Sequence, residues 1–284
     1  SVARENGWKV IQTRWIDVNK GDNENPNYRS RLVAKEFNTG AVDGLFAATP
    51  PLEALRLLIS LAATVDPNKS GTRNVIMIND VARAFFEAPA TRAVCVKLPP
   101  EAGQHQDMVG VLQLSLYGTR DAAANFQNEV RKFMLGLGFA QSGYSPSIFF
   151  HARKGLRTLV HGDDFVTCGT PEAAAWFRAA LEGRFEIKSK VVGMGKGESG
   201  EERVLGRVIR CSTTGWQYEA DQRHADLVVS SLGLEQAKAV ATPGDITAAK
   251  TAAKTAAGES SSSSSSNGSM DSARSEDSID SVSY

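Results

Sequence analysis

Cysteine is scarce in this chain, with three in 284 residues at Cys95, Cys168 and Cys211. The odd count and wide spacing exclude a disulfide scaffold and a cysteine-built zinc site, and fit a reducing compartment. Histidine is nearly as rare, with four residues. His105, His151 and His224 stand in unrelated contexts and read as surface residues, so no histidine-based metal motif is present. No run of about eighteen apolar residues occurs, which excludes a membrane-spanning helix. Net charge is also missing, because 32 basic side chains meet 32 acidic ones. Such a balance argues against a nucleic-acid partner, which usually demands a basic excess. No internal repeat is visible. The chain starts at Ser1 without a signal-peptide pattern and reads as a piece of a longer protein.

The apolar content, 42%, is ample for a buried core in one large or two small domains. It is unevenly spread. From Asp245 onward the chain turns to Ala, Thr and Lys, then to an unbroken serine run, Ser260 to Ser266, and a Ser- and Asp-rich end. This composition cannot offset chain entropy by burial, so 245–284 is expected to be a disordered acidic tail. The tail holds three basic and six acidic residues, which leaves 1–244 with a net charge of +3. The folded part is therefore mildly basic, and weak, salt-sensitive binding to a polyanion becomes admissible.

Within 1–244 the hydrophobic pattern alternates between the two periods. Trp8 to Val18 and Tyr28 to Phe37 read as strands. Arg29, Arg31 and Lys35 share one face of the second. Thr49-Pro50-Pro51 opens a helix whose stripe is Leu55, Leu58, Ile59 and Ala62. Asn74 to Asp80 is a nearly continuous apolar run, suited to a buried strand. Ala93 to Leu98 and Val109 to Leu116 read as strands, and Asp121 to Leu137 as a helix with Asp121 at its cap. Ile148 to His151 is a strand, and Thr158 to Cys168 a hairpin folded over Gly162-Asp163-Asp164. Pro171 to Gly183 is a helix, Phe185 to Lys190, Arg203 to Cys211 and Trp216 to Glu219 are strands, and Gln222 to Leu232 is a last helix. The mixture predicts an α+β fold.

Two places could carry chemistry. Leu159 to Val166 sets adjacent carboxylates, Asp163 and Asp164, at a hairpin tip between apolar strands. Asp80 ends the buried run Val75 to Ile78. Each alone is ordinary, since aspartate is common in turns and at helix caps. Together they make three carboxylates of the kind that hold hard divalent cations, and two such ions suit phosphoryl or nucleotidyl transfer. A metal-dependent phosphohydrolase would use the same acids, and that alternative stays open here.

From about Trp8 to Pro243 the chain resembles the reverse-transcriptase domain of copia-type (Pseudoviridae-like) LTR retrotransposon Pol polyproteins. Arg31-Leu32-Val33-Ala34-Lys35 resembles that family's RLVAKGF block, and Leu52 to Leu58 its LETIRLL helix. Ile78 to Phe85 resembles LDVKTAF, Val94 to Pro100 resembles VYMKQPP, and Leu114 to Gly118 resembles KSLYG. Ser145 to Phe149 resembles SDPSLF, and His161-Gly162-Asp163-Asp164 stands where the family has YVDD. Glu186-Ile187-Lys188, Leu205-Gly206 and Ala241-Thr242-Pro243 follow in the family's order.

The resemblance implies a palm-and-fingers polymerase, with fingers and palm over about 1–190 and a partial thumb over about 191–244. It implies RNA-directed DNA synthesis by two-metal nucleotidyl transfer, with Mg²⁺, or Mn²⁺ in its place, on Asp80, Asp163 and Asp164. Phe85 is expected as the aromatic that excludes a ribose 2′-hydroxyl, while Phe86 reads as a core residue. Arg29, Arg31 and Lys35 are expected to hold the incoming triphosphate. Leu205 and Gly206 are expected near the hairpin that supports the primer end. The implied partners are an RNA template, a DNA primer, dNTPs and other parts of a Pol polyprotein, with no membrane. The implied location is cytoplasmic, in a virus-like particle, and nuclear. Two departures from the pattern carry their own expectations. Gly162 should loosen the turn that bears the acids, and Asp121, in Thr119-Arg120-Asp121-Ala122, should add negative charge near a phosphate path. A diverged, inactive relic that binds nucleic acid or serves as an interaction domain is the alternative.

Overall fold

The computed structural model describes residues 2–37, 40, 45–64, 73–103 and 108–238. The expected tail, 245–284, and His105 lie outside the described residues, as does the boundary expected near residue 244. The chain divides into two compact units, 1–225 and 226–284. The division falls inside the last helix, α5 (Gln222–Ser231), and everything that follows concerns the first unit.

A six-stranded antiparallel sheet organises that unit. Its middle strands are β4 (Val75–Val81) and β10 (Asp164–Gly169). Beyond β4 lies β11 (Ile187–Val192), and beyond β10 lie β9 (Leu156–His161), β8 (Ile148–His151) and β7 (Ala140–Gln141). Val75, Met77 and Val81 of β4 point to one face, where they pack with α3 (Ala122–Gly136) and α4 (Pro171–Glu182). Ile76 and Ile78 point to the other, against α2 (Leu52–Ala63). Both faces are covered, which is why β4 reads as an unbroken apolar run rather than an alternation.

The helices bury the stripes their spacing requires. Leu55, Leu58, Ile59 and Ala62 of α2 are all buried, and Phe126, Val130 and Met134 of α3 join the opposite cluster. In α4, Pro171 takes the first turn and the Thr170 hydroxyl accepts the Ala173 N–H at 3.3 Å. A three-stranded sheet of β12 (Glu201–Val204), β13 (Arg207–Ser212) and β14 (Gly215–Ala220) adds Val204 and Ile209 to the α2 cluster. Its first turn is Leu205-Gly206, with φ of 49° and 68°. Glycine takes that conformation freely, whereas leucine is strained there by roughly 1–2 kcal/mol. Leu205 keeps it because its side chain packs on the α2 cluster.

The remaining strands flank this body. β1 (Val10–Ile11), β5 (Cys95–Lys97) and β6 (Val109–Val111) form one small sheet, and β2 (Thr13–Asn19) pairs with β3 (Tyr28–Ala34) as a two-stranded ribbon. The expected strand Trp8 to Val18 therefore splits at Gln12 between two sheets, because the Gln12 carbonyl accepts the Lys35 N–H at 2.8 Å. The strand expected over Val109 to Leu116 stops at Val111. The following segment docks onto β3 instead, where the Ala34 N–H donates to the Tyr117 carbonyl at 2.7 Å. Gly118 has φ +84°, and a Cβ there would lie 2.0 Å from the Ala34 carbonyl oxygen. The Leu114 to Gly118 block thus requires a glycine at its end. A short helix, α1 (Val2–Glu5), precedes these elements. No described helix is long and apolar enough to cross a membrane.

Two expectations are corrected here. His151 is buried, with Phe139 and Trp176 against its ring, and its Nδ1 accepts the Lys154 N–H at 3.2 Å. Asp121 makes no capping hydrogen bond. Its buried carboxylate pairs with Arg92 at 2.6 Å and accepts from Asn125 at 3.2 Å. Arg92 also grips Glu36 through two bonds of 3.0 and 2.9 Å, and the Arg120 N–H donates to Glu36 at 2.9 Å. The charge of Asp121 is therefore neutralised in place.

This network ties the exit of β3 to the start of α3. Glu36 is held below the usual carboxylate range by the Arg92 hydrogen bonds. For Asp121, burial pushes upward, but the Arg92 hydrogen bond and charge outweigh it and the net shift is downward. Replacing Arg92 with alanine leaves Asp121 without a cation and Glu36 with only the longer Lys9 pair at 3.8 Å, and should cost roughly 3 kcal/mol in a urea melt. Depressed folded pKa values give stability that is present at neutral pH and lost as the pH falls through them. The wild type should therefore lose stability on acidification more steeply than Arg92→Ala.

Candidate active site

Strands β9 and β10 are joined by a two-residue turn, Gly162-Asp163. Gly162 has φ +63° and Asp163 does not share the left-handed region. A hairpin turn with a left-handed first position is where glycine is favoured. Gly162 therefore relieves the turn of strain rather than loosening it, contrary to the expectation from the sequence. The Val81 N–H donates to the Asp163 carbonyl at 3.0 Å and fastens the tip to the end of β4.

The pairing register does the rest. Asp164 lies directly opposite Asp80 on one side and opposite His161 on the other, while Asp80 faces Lys188 of β11. Cross-strand partners project to the same face. A lateral row of Lys188, Asp80, Asp164 and His161 thus crosses four strands at the sheet's end, on the α2 side. Asp163 reaches the row from the turn. Carboxylate oxygens of Asp80, Asp163 and Asp164 all lie within 4.8 Å of one another. Burial, then the charges of Asp163 and Asp80, push the Asp164 carboxyl up to about 6. Three mutually repelling oxygen donors of this kind fit a hard divalent cation and would be stabilised by it.

Asp80 and Asp163 open into a cleft of about 510 Å³. Its walls carry Arg29 and Arg31 from β3, Asp80, Asp163, Lys188, Arg83, Phe86 and Tyr117. The structure thus brings together five residues anticipated from sequence: Asp80, Asp163 and Asp164 with Arg29 and Arg31. Lys35 lies past the end of β3, is exposed, and does not line the cleft. Phe85 is partly buried and packs on the core, with ring centroids 4.6 Å from Tyr117 and 6.5 Å from Phe126. Phe86 is 39% exposed and lines the cleft, so its reading as a core residue is corrected. The short helical turn from Ala84 to Glu87 sends the two rings in different directions.

Sequence reasoning gave no role to Lys188, Arg83 or Tyr117. Lys188 could have been found from the registers, since it is one strand across from Asp80. Arg83 adopts φ 54° and pairs with Glu186, an outlier invisible in composition. Tyr117 sits under Arg31, whose guanidinium lies 5.7 Å from the ring centroid. Burial and the charge of Asp163 raise its phenol pKa, which keeps it protonated.

Residues 2–244 match the family described as reverse transcriptase (RNA-dependent DNA polymerase). The chain belongs to the reverse transcriptase family. It is 23% identical over 249 residues to the retrovirus-related Pol polyprotein from transposon TNT 1-94 of Nicotiana tabacum, covering 84% of this chain and 18% of that protein. It is 28% identical over 187 residues to the corresponding polyprotein from transposon RE2 of Arabidopsis thaliana, covering 63% of this chain and 12% of that protein. The chain therefore spans less than a fifth of these relatives, and the resemblance to copia-type elements holds. Among solved structures, apo telomerase from Candida tropicalis aligns with a TM-score of 0.39 at 12% identity, over 75% of this chain and 55% of that one.

The like-charge crowding of the three acids can be measured. A carboxyl whose folded pKa is raised opposes folding above that value, and the penalty is relieved as the pH falls through it. Asp164→Asn should thus stabilise the metal-free protein at pH 7 by about 2 kcal/mol, with the gain vanishing near pH 4. A divalent cation, Mg²⁺ or Mn²⁺, should raise the melting temperature of the wild type, and the same variant should lose that rise.

Proposed function

We propose that this chain is an RNA-directed DNA polymerase domain of a copia-type retrotransposon Pol polyprotein, acting on dNTPs with an RNA template and a DNA primer. The observation that carries the reading is the cluster of Asp80, Asp163 and Asp164, two of which, Asp80 and Asp163, line one cleft with two arginines. In this reading the six-stranded sheet with α3 and α4 is the palm, the β2–β3 ribbon belongs to the fingers, and the β12–β14 sheet begins a partial thumb.

Mg²⁺, or Mn²⁺, held by Asp80, Asp163 and Asp164 would lower the pKa of the primer 3′-hydroxyl and neutralise charge on the transferred phosphate. The hydroxyl oxygen forms a bond to the α-phosphorus of the dNTP, and the bond to the β-phosphate oxygen breaks to release pyrophosphate. Arg29 and Arg31, which line the same cleft, hold the triphosphate through guanidinium groups suited to phosphate oxygens. Lys35, beyond the cleft, joins them only when the chain path after β3 brings it to the phosphates. Lys188 balances the acids across the row. The sugar meets the aromatic wall, in which Phe86 is the exposed ring and Phe85 backs Tyr117 from the core side. Rings in that position exclude the ribose 2′-hydroxyl by contact, the group that distinguishes RNA from DNA.

Primer extension on an RNA template with Mg²⁺ or Mn²⁺ tests this reading. Folded protein that yields no product would sink it. With product in hand, Asp163→Asn should reduce the rate by about a hundredfold or more with little change in melting temperature, and Arg31→Ala should chiefly raise KM for dNTP. Phe86→Ala should increase ribonucleotide incorporation more than Phe85→Ala. The reverse order would return the sugar contact to Phe85.

A further inference from the structure

Arg83 lines the acidic cleft, yet its guanidinium is held by Glu186, an acid that is not one of the cleft's walls. Strand β4 ends at Val81, which faces α3 and α4. Continued alternation would send residue 83 to the same side. Arg83 instead takes φ 54° and ψ 37°, in the left-handed region, and its side chain is exposed at the cleft. Glycine or asparagine takes that conformation with less strain than arginine does. A long cation thus occupies a position that the backbone disfavours, and an outlier of this kind beside a site points to a function.

The acid that holds Arg83 is tethered next to it. The Ala82 N–H donates to the Glu186 carbonyl at 2.8 Å, and the Phe86 N–H donates to the Arg83 carbonyl at 2.9 Å. The two backbones are therefore fixed side by side. The ion pair itself is weak, because its side chains are 68% and 64% exposed and such pairs contribute little. Glu87, four residues beyond Arg83, is engaged elsewhere, by Arg184 at 2.8 Å. A guanidinium matches the oxygens of a phosphate as well as those of a carboxylate, and a polyphosphate brings more charge.

We propose that Glu186 is a tethered counter-ion, which occupies Arg83 in the free protein and gives it up to a polyphosphate that enters the cleft. The anion then binds against a built-in competitor, and Glu186 reclaims Arg83 when the anion leaves. That the entering polyphosphate is a dNTP's, and the leaving one pyrophosphate, rests on the polymerase reading. The exchange rests on the ion pair and the cleft.

The test is isothermal titration calorimetry of the full chain with inorganic tripolyphosphate at a fixed excess of Mg²⁺. Glu186→Gln should bind the anion roughly threefold more tightly than the wild type. Arg83→Gln should bind it roughly tenfold more weakly. When Glu186→Gln is added to Arg83→Gln, the gain should fall away, because no arginine is left to release. Glu87→Gln removes an acid of the same charge and should leave the affinity unchanged. Circular dichroism checks folding, and Arg83→Gly, which suits the left-handed turn, replaces Arg83→Gln if that variant misfolds. Wild-type affinity without Arg83 would overturn the exchange. An equal gain from Glu186→Gln with and without Arg83, or an equal gain from Glu87→Gln, would reduce Glu186 to a general repulsive charge and overturn it too. Primer extension is read separately. A wild type that shows the exchange but makes no product would overturn the polymerase reading and leave the exchange in place.

Discussion

Asp80 and Asp164 face each other on adjacent strands of an otherwise apolar sheet, and the other parts of the site are placed by that pairing. Like charges in direct register weaken a sheet, so the pairing must be held by something else. The hold comes from Ile76, Ile78, Val166 and Cys168 beneath the acids, which pack on α2 and fix the register of β4 against β10. A slip of one residue would move those side chains from the α2 face to the face packed by α3 and α4 and break both sets of contacts. The core therefore forces two acids together that would separate if left to themselves, and a cation is the natural relief.

The same geometry explains why the surrounding residues are where they are. The Gly162 turn lets the chain reverse without strain and adds Asp163 to the pair. The bond from the Val81 N–H to the Asp163 carbonyl locks the tip to the strand end. The β3 strand is held at its exit by Arg92, Glu36 and Asp121, and at Ala34 by the close approach of Gly118. Its arginines Arg29 and Arg31 line the same cleft as Asp80 and Asp163. The cleft thus combines cations, Arg29, Arg31, Arg83 and Lys188, with carboxylates of the acid cluster.

Net charge illustrates how a global number conceals a local arrangement. The balance of 32 against 32 suggests indifference to nucleic acids. In three dimensions three of the acids, Asp80, Asp163 and Asp164, gather in one spot, and Glu36 and Asp121 are paired with Arg92. Arg29 and Arg31 of β3 line the same cleft as Asp80 and Asp163.

The sequence by itself determined the strands and helices with strong periodicity. The α2 stripe, the buried run of β4 and the hairpin over Asp163-Asp164 all follow from apolar spacing and turn chemistry. It also determined the family, because short blocks in a fixed order are specific even when each is weak. It could not determine which of two adjacent phenylalanines meets the cleft, since the direction of Phe85 and Phe86 depends on a helical turn and on Tyr117 packing beside it. It could not show that Asp121 is neutralised, because Arg92 is 29 residues away in the chain. Nor could it place Lys188 beside Asp80. Those facts come from strand register and from which face a side chain takes. Register is settled by the packing of the whole sheet, and no local stretch of sequence contains it.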